Sequence, residues 1–171
     1  MSAEVIIEDE RWNALGLEAL AERAVAAALS HLELVHTDWD VAVLGADDAH
    51  ISVLNEDFRG KAQPTNVLSW PSYERGAAKE GARPDLPVGD AELGDLALAY
   101  ETCAREAEAG GIALADHVTH LIVHGTLHLL GYDHLRDGDG DLMEAVEIAI
   151  LKELGIADPY SGDGSGNDGK D

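Results

Sequence analysis

Apolar positions recur along this chain with two different periods, and the period marks the elements. Leu17, Leu20, Ala21, Ala24, Val25, Ala28, Leu29 and Leu32 follow the i, i+3, i+4 spacing of a helix with one buried face. Val41 and Val43 alternate against Ala42, which predicts a strand over residues 40–44. Short apolar runs predict further strands over 3–8, 66–70 and 91–97, with Pro71 stopping the third strand of the chain. A helix is predicted over 47–58, with Asp47 or Asp48 as its N-cap. Another runs over 99–109 and ends at Gly110 and Gly111. A last one lies within 138–154, with Asp139 or Asp141 near its start and Gly155 after it. Residues 114–130 are apolar nearly all round, as a helix at the centre of a fold is. Residues 72–89 are polar and broken by Gly76, Gly81, Pro84, Pro87 and Gly89, and read as a loop. Residues 161–171, SGDGSGNDGKD, have nothing to bury and read as a disordered tail. The expectation is one α/β (α+β) domain over 1–160, a mixed sheet of about four strands packed around that central helix.

The central helix carries histidines. At about 100° per residue, His117, His120, His124 and His128 fall within about 80° of one another. Four imidazoles on one stripe of a buried helix are costly without partners. His124 and His128 are one turn apart on one face, and Gly131 offers a stop and a reversal of the chain. His134 can then swing back to face the pair. Three neutral imidazoles with a fourth position open are the donor set of a catalytic zinc site; the alternative is a set of hydrogen-bonded core histidines. The spacing is that of the zinc-protease motif HExxHxxGxxH, but Gly125 stands where the general-base glutamate belongs. The metal holder is present without the peptidase's base, which weakens a peptidase reading. His31, His36 and His50 have no such constellation around them.

Composition changes this picture in two ways. Cys103 is the only cysteine, so an internal disulfide is excluded and a reducing cytoplasm is the expected setting. The opening residues MSAEVIIEDE do not read as a signal peptide, and no apolar run is long enough to span a membrane. Acids outnumber bases 34 to 11, a net charge of −23, so the average field repels a polyanion. The bases are not evenly spread. Residues 59–83 hold Arg59, Lys61, Arg75, Lys79 and Arg83 against only Glu74 and Glu80. That segment would serve a locally positive cleft on an acidic body; a solvated loop is the plainer account of Arg75, Lys79 and Arg83.

Several blocks in order add a resemblance. Residues 124–134 read HGTLHLLGYDH, and residues 54–71 read LNEDFRGKAQPTNVLSWP. The second holds Arg59 and then Pro64 to Trp70, which resembles the pattern PT[DN]VLSF with Trp70 in the place of Phe. Leu93-Gly94-Asp95, Met143-Glu144 and Asp158-Pro159-Tyr160 also fit. Together these resemble the YbeY family of bacterial rRNA-maturation endoribonucleases. The resemblance implies a zincin-like fold whose edge strand, over 66–70 or 91–97, borders the cleft.

It also implies cleavage of single-stranded RNA in maturation of the small-subunit ribosomal RNA and in ribosome quality control. One divalent cation per chain is expected on His124, His128 and His134, Zn²⁺ first and Ni²⁺ next, since imidazole suits both. The expected partners are ribosomal RNA and the small subunit or its proteins, with no membrane and no DNA, in the cytoplasm. Arg59 would grip a phosphate through two parallel hydrogen bonds and so act in catalysis; a salt bridge with Asp57 or Glu56 is the alternative. His120, which matches a family histidine, is expected behind the ligands. Asp95 could orient a ligand through its other ring nitrogen or cap a turn after Gly94, and Asp133 is a similar candidate. Tyr132 could pack or donate a hydrogen bond to substrate. The missing glutamate leaves the general base open, and with it the choice between water and a ribose 2′-hydroxyl as attacker. Two rival classes stand beside this one: a metal-dependent hydrolase of another substrate, and a ribosome-assembly factor whose metal is mainly structural.

Overall fold

The computed structural model describes residues 3–34, 39–60, 65–72, 79–82, 84, 92–133 and 136–160, the side chains of residues 58 and 59 excepted. In chain order the elements are β1 (Ala3–Ile7), α1 (Glu10–Leu15), α2 (Leu17–His31), β2 (Asp40–Ala46), α3 (Asp48–Arg59), β3 (Val67–Pro71), β4 (Glu92–Ala99), α4 (Tyr100–Gly110), α5 (Leu114–Leu129) and α6 (Asp137–Glu153). The expected strands and helices are all present, with ends within two residues of expectation.

The strands form one mixed sheet in the order β1-β2-β4-β3. β1, β2 and β4 run parallel, and β3 lies antiparallel to β4 at the edge. Of the two candidates for the edge strand, β3 takes that place and β4 is interior. β4 is covered on both faces, so Leu96, Ala97, Leu98 and Ala99 are all buried in succession. Leu96 and Leu98 face the larger core, which α2, α4, α5 and α6 share. Ala97 and Ala99 face a smaller cluster with Leu68 and with Ile51 of α3. α3 therefore covers one side of the sheet, and the histidine helix α5 lies on the other.

One helix escaped the sequence reading. α1 is only six residues long, too short to show a period. Asp9 caps its first turn by accepting from the Arg11 N–H, and Trp12 buries its ring and donates its indole N–H to the Ala46 carbonyl at 2.8 Å. Among the described residues no helix is long and apolar enough to cross a membrane.

Candidate metal centre

From residue 118 to residue 130 every position of the chain is buried except His120, His124 and His128. They sit four residues apart, so they form the one stripe along which this segment opens toward solvent. Its two buried hydroxyls are satisfied within the helix: Thr119 donates to the Ala115 carbonyl and Thr126 to that of Ile122. α5 lies so close to β4 that a Cβ on Gly125 would stand 2.7 Å from Cδ2 of Leu96. A glutamate at that position would have to displace a fully buried leucine, which gives the missing peptidase base a packing cause.

The histidine nitrogens converge. Nε2 of His124 and Nε2 of His128 are 3.1 Å apart, with the rings 83° from coplanar. Behind them stands Glu147 of α6, whose side chain is fully buried. Its Oε2 bonds Nδ1 of His124, and its Oε1 takes Nε2 of His120 at 3.1 Å. The Tyr160 hydroxyl donates to the same Oε1 at 2.5 Å. Burial alone would push this carboxyl up, but the hydrogen bonds from His120 and His124 outweigh it and hold Glu147 down at about 2. Glu147 is thus a carboxylate and only accepts. His124 must carry its proton on Nδ1, which leaves the Nε2 lone pair facing His128.

This arrangement suits a cation. Two nitrogens each about 2.0–2.1 Å from a tetrahedral ion would lie about 3.3 Å apart, close to the observed separation. A second grouping is possible by distance alone: the ligand atoms of His120, His124 and Glu147 lie within 4.8 Å of one another. In that grouping the oxygens of Glu147 are fully buried and already engaged by two imidazoles and a phenol. The pair formed by His124 and His128 keeps its Nε2 atoms turned toward each other, which favours it as the open site.

The chain reverses after α5 as the glycine suggested. Gly131 has φ +103° and donates to the His128 carbonyl, while the Tyr132 N–H reaches back to that of Leu127. This is the Schellman arrangement, with buried Tyr132 and Leu127 in the core as its apolar contact. Tyr132 packs. Asp133 is half-buried beside it, on a cleft also lined by Gly131, Asp139 and Leu142. His134 lies outside the described residues, as do the side chain of Arg59, most of the basic segment and the tail at 161–171. Arg59 is the last residue of α3.

Asp95 is not brought to the histidines. It is exposed and pairs across the strands with Trp70, which packs in the α3-side cluster, so both lie on the face away from α5. His120 does stand one turn behind the pair. Of the two residues that tie this site together, sequence reasoning missed Glu147 and placed Tyr160 only within the Asp158-Pro159-Tyr160 block, with no role at the histidines. The signal for Glu147 was one charge on the apolar i, i+4, i+7, i+8 stripe of Met143, Ile150 and Leu151.

The comparisons with known proteins agree with this architecture. The family model described as Endoribonuclease YbeY matches residues 5–155. A protein of that name from Ruegeria sp. (strain TM1040) is 56% identical over 164 residues, covering 94% of this chain and 96% of its own. Another of the same name, from Dinoroseobacter shibae, is 56% identical over 163 residues, covering 93% and 90%. The solution structure of a Thermotoga maritima protein superposes with a TM-score of 0.54 at 19% identity, covering 97% of this chain and 99% of that one, and shows a shared fold. With a family match from residue 5 to residue 155 and relatives that share more than half of its residues nearly end to end, the chain belongs to the Endoribonuclease YbeY family.

Proposed function

We propose that this protein is a metal-dependent endoribonuclease specific for single-stranded RNA, acting in maturation of the small-subunit ribosomal RNA and in ribosome quality control. The observation that carries the reading is the approach of Nε2 of His124 to Nε2 of His128 at 3.1 Å, with Glu147 bonded to Nδ1 of His124. His124 and His128, joined by His134 from beyond the Gly131 reversal, would hold one divalent cation, Zn²⁺ or Ni²⁺. When bound, that cation supplies Lewis acidity to a water or a phosphoryl oxygen. The chain's own residues do the rest. Glu147 fixes the tautomer and the ring plane of His124. β3, the edge strand that packs on α5, would border the cleft beside the histidine stripe and lie along an extended substrate. Arg59 would grip a phosphate by its two-pronged hydrogen bonding, within the one locally basic segment of an acidic chain. The names of the relatives supply the substrate class, RNA.

The test is a cleavage assay on matched single-stranded and double-stranded RNAs with metal-loaded protein, beside His128→Ala. Cutting confined to single strands and abolished in the variant is expected. Equal cutting by the variant would assign the activity elsewhere. The product ends then identify the attacker: a 2′,3′-cyclic phosphate marks the ribose hydroxyl, a 3′-hydroxyl marks water.

A further inference from the structure

Half-buried Tyr160 reaches the histidine site from beyond the C-terminal end of α6. After Glu153 the helix closes at Leu154, and Gly155, with φ +79°, turns the chain back. The Gly155 N–H donates to the Lys152 carbonyl and that of Ile156 to Leu151, the same reversal that ends α5. The segment then runs back along α6 to place Tyr160 against Glu147, 13 residues earlier in the chain. An Asp158 carboxylate accepting from the Tyr160 N–H at 2.7 Å shapes the last step. The phenol ring stands edge-on to His120, with centroids 5.7 Å apart, and its hydroxyl lies 3.4 Å from Nε2 of that histidine. The hydroxyl therefore completes the donors around Oε1 of Glu147, while Oε2 remains for His124.

We propose that Tyr160 is a positioning residue of the histidine site, and that the seating of residues 155–160 is coupled to cation binding there. Glu147 holds His124 in one tautomer only while its carboxylate plane is fixed. That plane is fixed from two sides, by His120 and by Tyr160. If the tyrosine unseats, Glu147 loses one anchor and His124 loses its fixed orientation. By linkage the converse also holds: a cation that selects the ordered His124 favours the seated tyrosine by the same factor. This inference rests on the reading of the histidines as metal ligands.

The experiment uses Tyr160→Phe in the full chain, which keeps the ring and loses only the hydroxyl. Two readouts are taken: Zn²⁺ affinity by competition with a chromogenic chelator, and hydrogen exchange at the Ile156 and Tyr160 amides with and without Zn²⁺. Loss of a partner behind a metal ligand weakens metal affinity by about 10–100-fold, and one of two anchors should account for up to about 10-fold. Wild-type protein is expected to bind Zn²⁺ and to exchange its Tyr160 amide more slowly when loaded. The variant is expected to bind severalfold more weakly and to lose that Zn²⁺-dependent protection. An affinity within about twofold of wild type, or a wild-type Tyr160 amide indifferent to Zn²⁺, overturns the coupling. Wild-type protein that binds no Zn²⁺ would instead overturn the metal-site reading beneath it.

Discussion

Two of the carboxylate networks that bridge helices in this fold spend their oxygens on different partners. Asp48, at the first turn of α3, accepts from the backbone N–H and the hydroxyl of Thr102 on α4. Glu101 of α4 returns the favour by accepting from the Asp48 N–H at 2.8 Å. Each helix caps the other, which matters because Ala99, the N-cap of α4, has no side chain to do it. That network ends where it is made: its acceptors are spent on two backbone N–H groups, the Thr102 hydroxyl and the guanidinium groups of Arg11 and Arg105, none of which has a second ring nitrogen to turn toward a cation. Glu147 spends its oxygens on imidazoles and a phenol, and each imidazole has a second nitrogen. The protonation fixed at Nδ1 of His124 reappears as a lone pair at Nε2, pointed at His128. A carboxylate paired to backbone stabilises a fold; one paired to histidines also prepares the far side of their rings. The difference lies first in partner chemistry, with burial beside it: the Glu147 side chain is fully buried, and those of Asp48 and Glu101 are not.

The largest effect should come from cutting the open network at its outer end. His128→Ala removes one of two converging nitrogens and should lower Zn²⁺ affinity by more than about 100-fold, beyond what losing an outer partner costs. Metal analysis of the purified variant beside RNA cleavage checks this. Stoichiometric, tightly held metal in the variant would show that these two rings do not share an ion. Next comes Glu147→Gln. The amide offers one acceptor and one donor where two acceptors are needed, so a donor must face His120, Tyr160 or His124. Zn²⁺ affinity should fall about 10–100-fold, with a stability loss of about 1–3 kcal/mol for the mismatched buried group. Asp48→Ala is the counterpart in the closed network. It should cost about 1–2 kcal/mol in chemical denaturation, as lost helix caps do, and leave Zn²⁺ affinity untouched. A metal defect in that variant would erase the distinction between the two networks.

The sequence made the histidine half of this comparison visible and hid the carboxylate half. His124 and His128 belong to one helix, and helical spacing fixes their relation without tertiary knowledge. Gly131 was equally local, because a C-terminal reversal is written in the residues that make it. The pairing of Glu147 with His124 spans 23 residues and depends on how α6 crosses α5, which no period reports. Asp95 shows a different limit. Along a regular strand its side could have been counted from its neighbours, but the register slips between Asp40 paired with Glu92 and Val41 paired with Gly94. Leu93 is the extra residue, and one extra residue moves the following side chains to the other face. Gly94, with φ +145°, passes so close to the Trp70 carbonyl that a Cβ would stand 2.3 Å from it, so the LGD block serves the close approach of β3 and β4.

The smallest effect tests what burial adds. α5 carries a second histidine–carboxylate pair, two turns before His124: Nε2 of His117 lies 2.8 Å from Glu106 of α4, and the Asn66 amide donates to the same carboxylate at 3.1 Å. The chemistry resembles that around Glu147, but the Glu106 side chain is 40% exposed. Partial burial pushes its carboxyl up, and the bonds from His117 and Asn66 bring it below the ordinary glutamate range. A depressed carboxyl pKa stabilises the fold above the unfolded value and stops doing so as pH falls through the folded one, because the unfolded chain then binds the proton more readily. Solvent screening limits the contribution to under about 1 kcal/mol. Glu106→Gln should therefore lower stability near neutrality by no more than that limit, flatten the profile as pH falls through and below the ordinary glutamate range, and not alter Zn²⁺ affinity. A loss of metal binding in this variant would mean that the whole histidine stripe acts as one unit, and that burial of the partner carboxylate is not what separates His124 from His117.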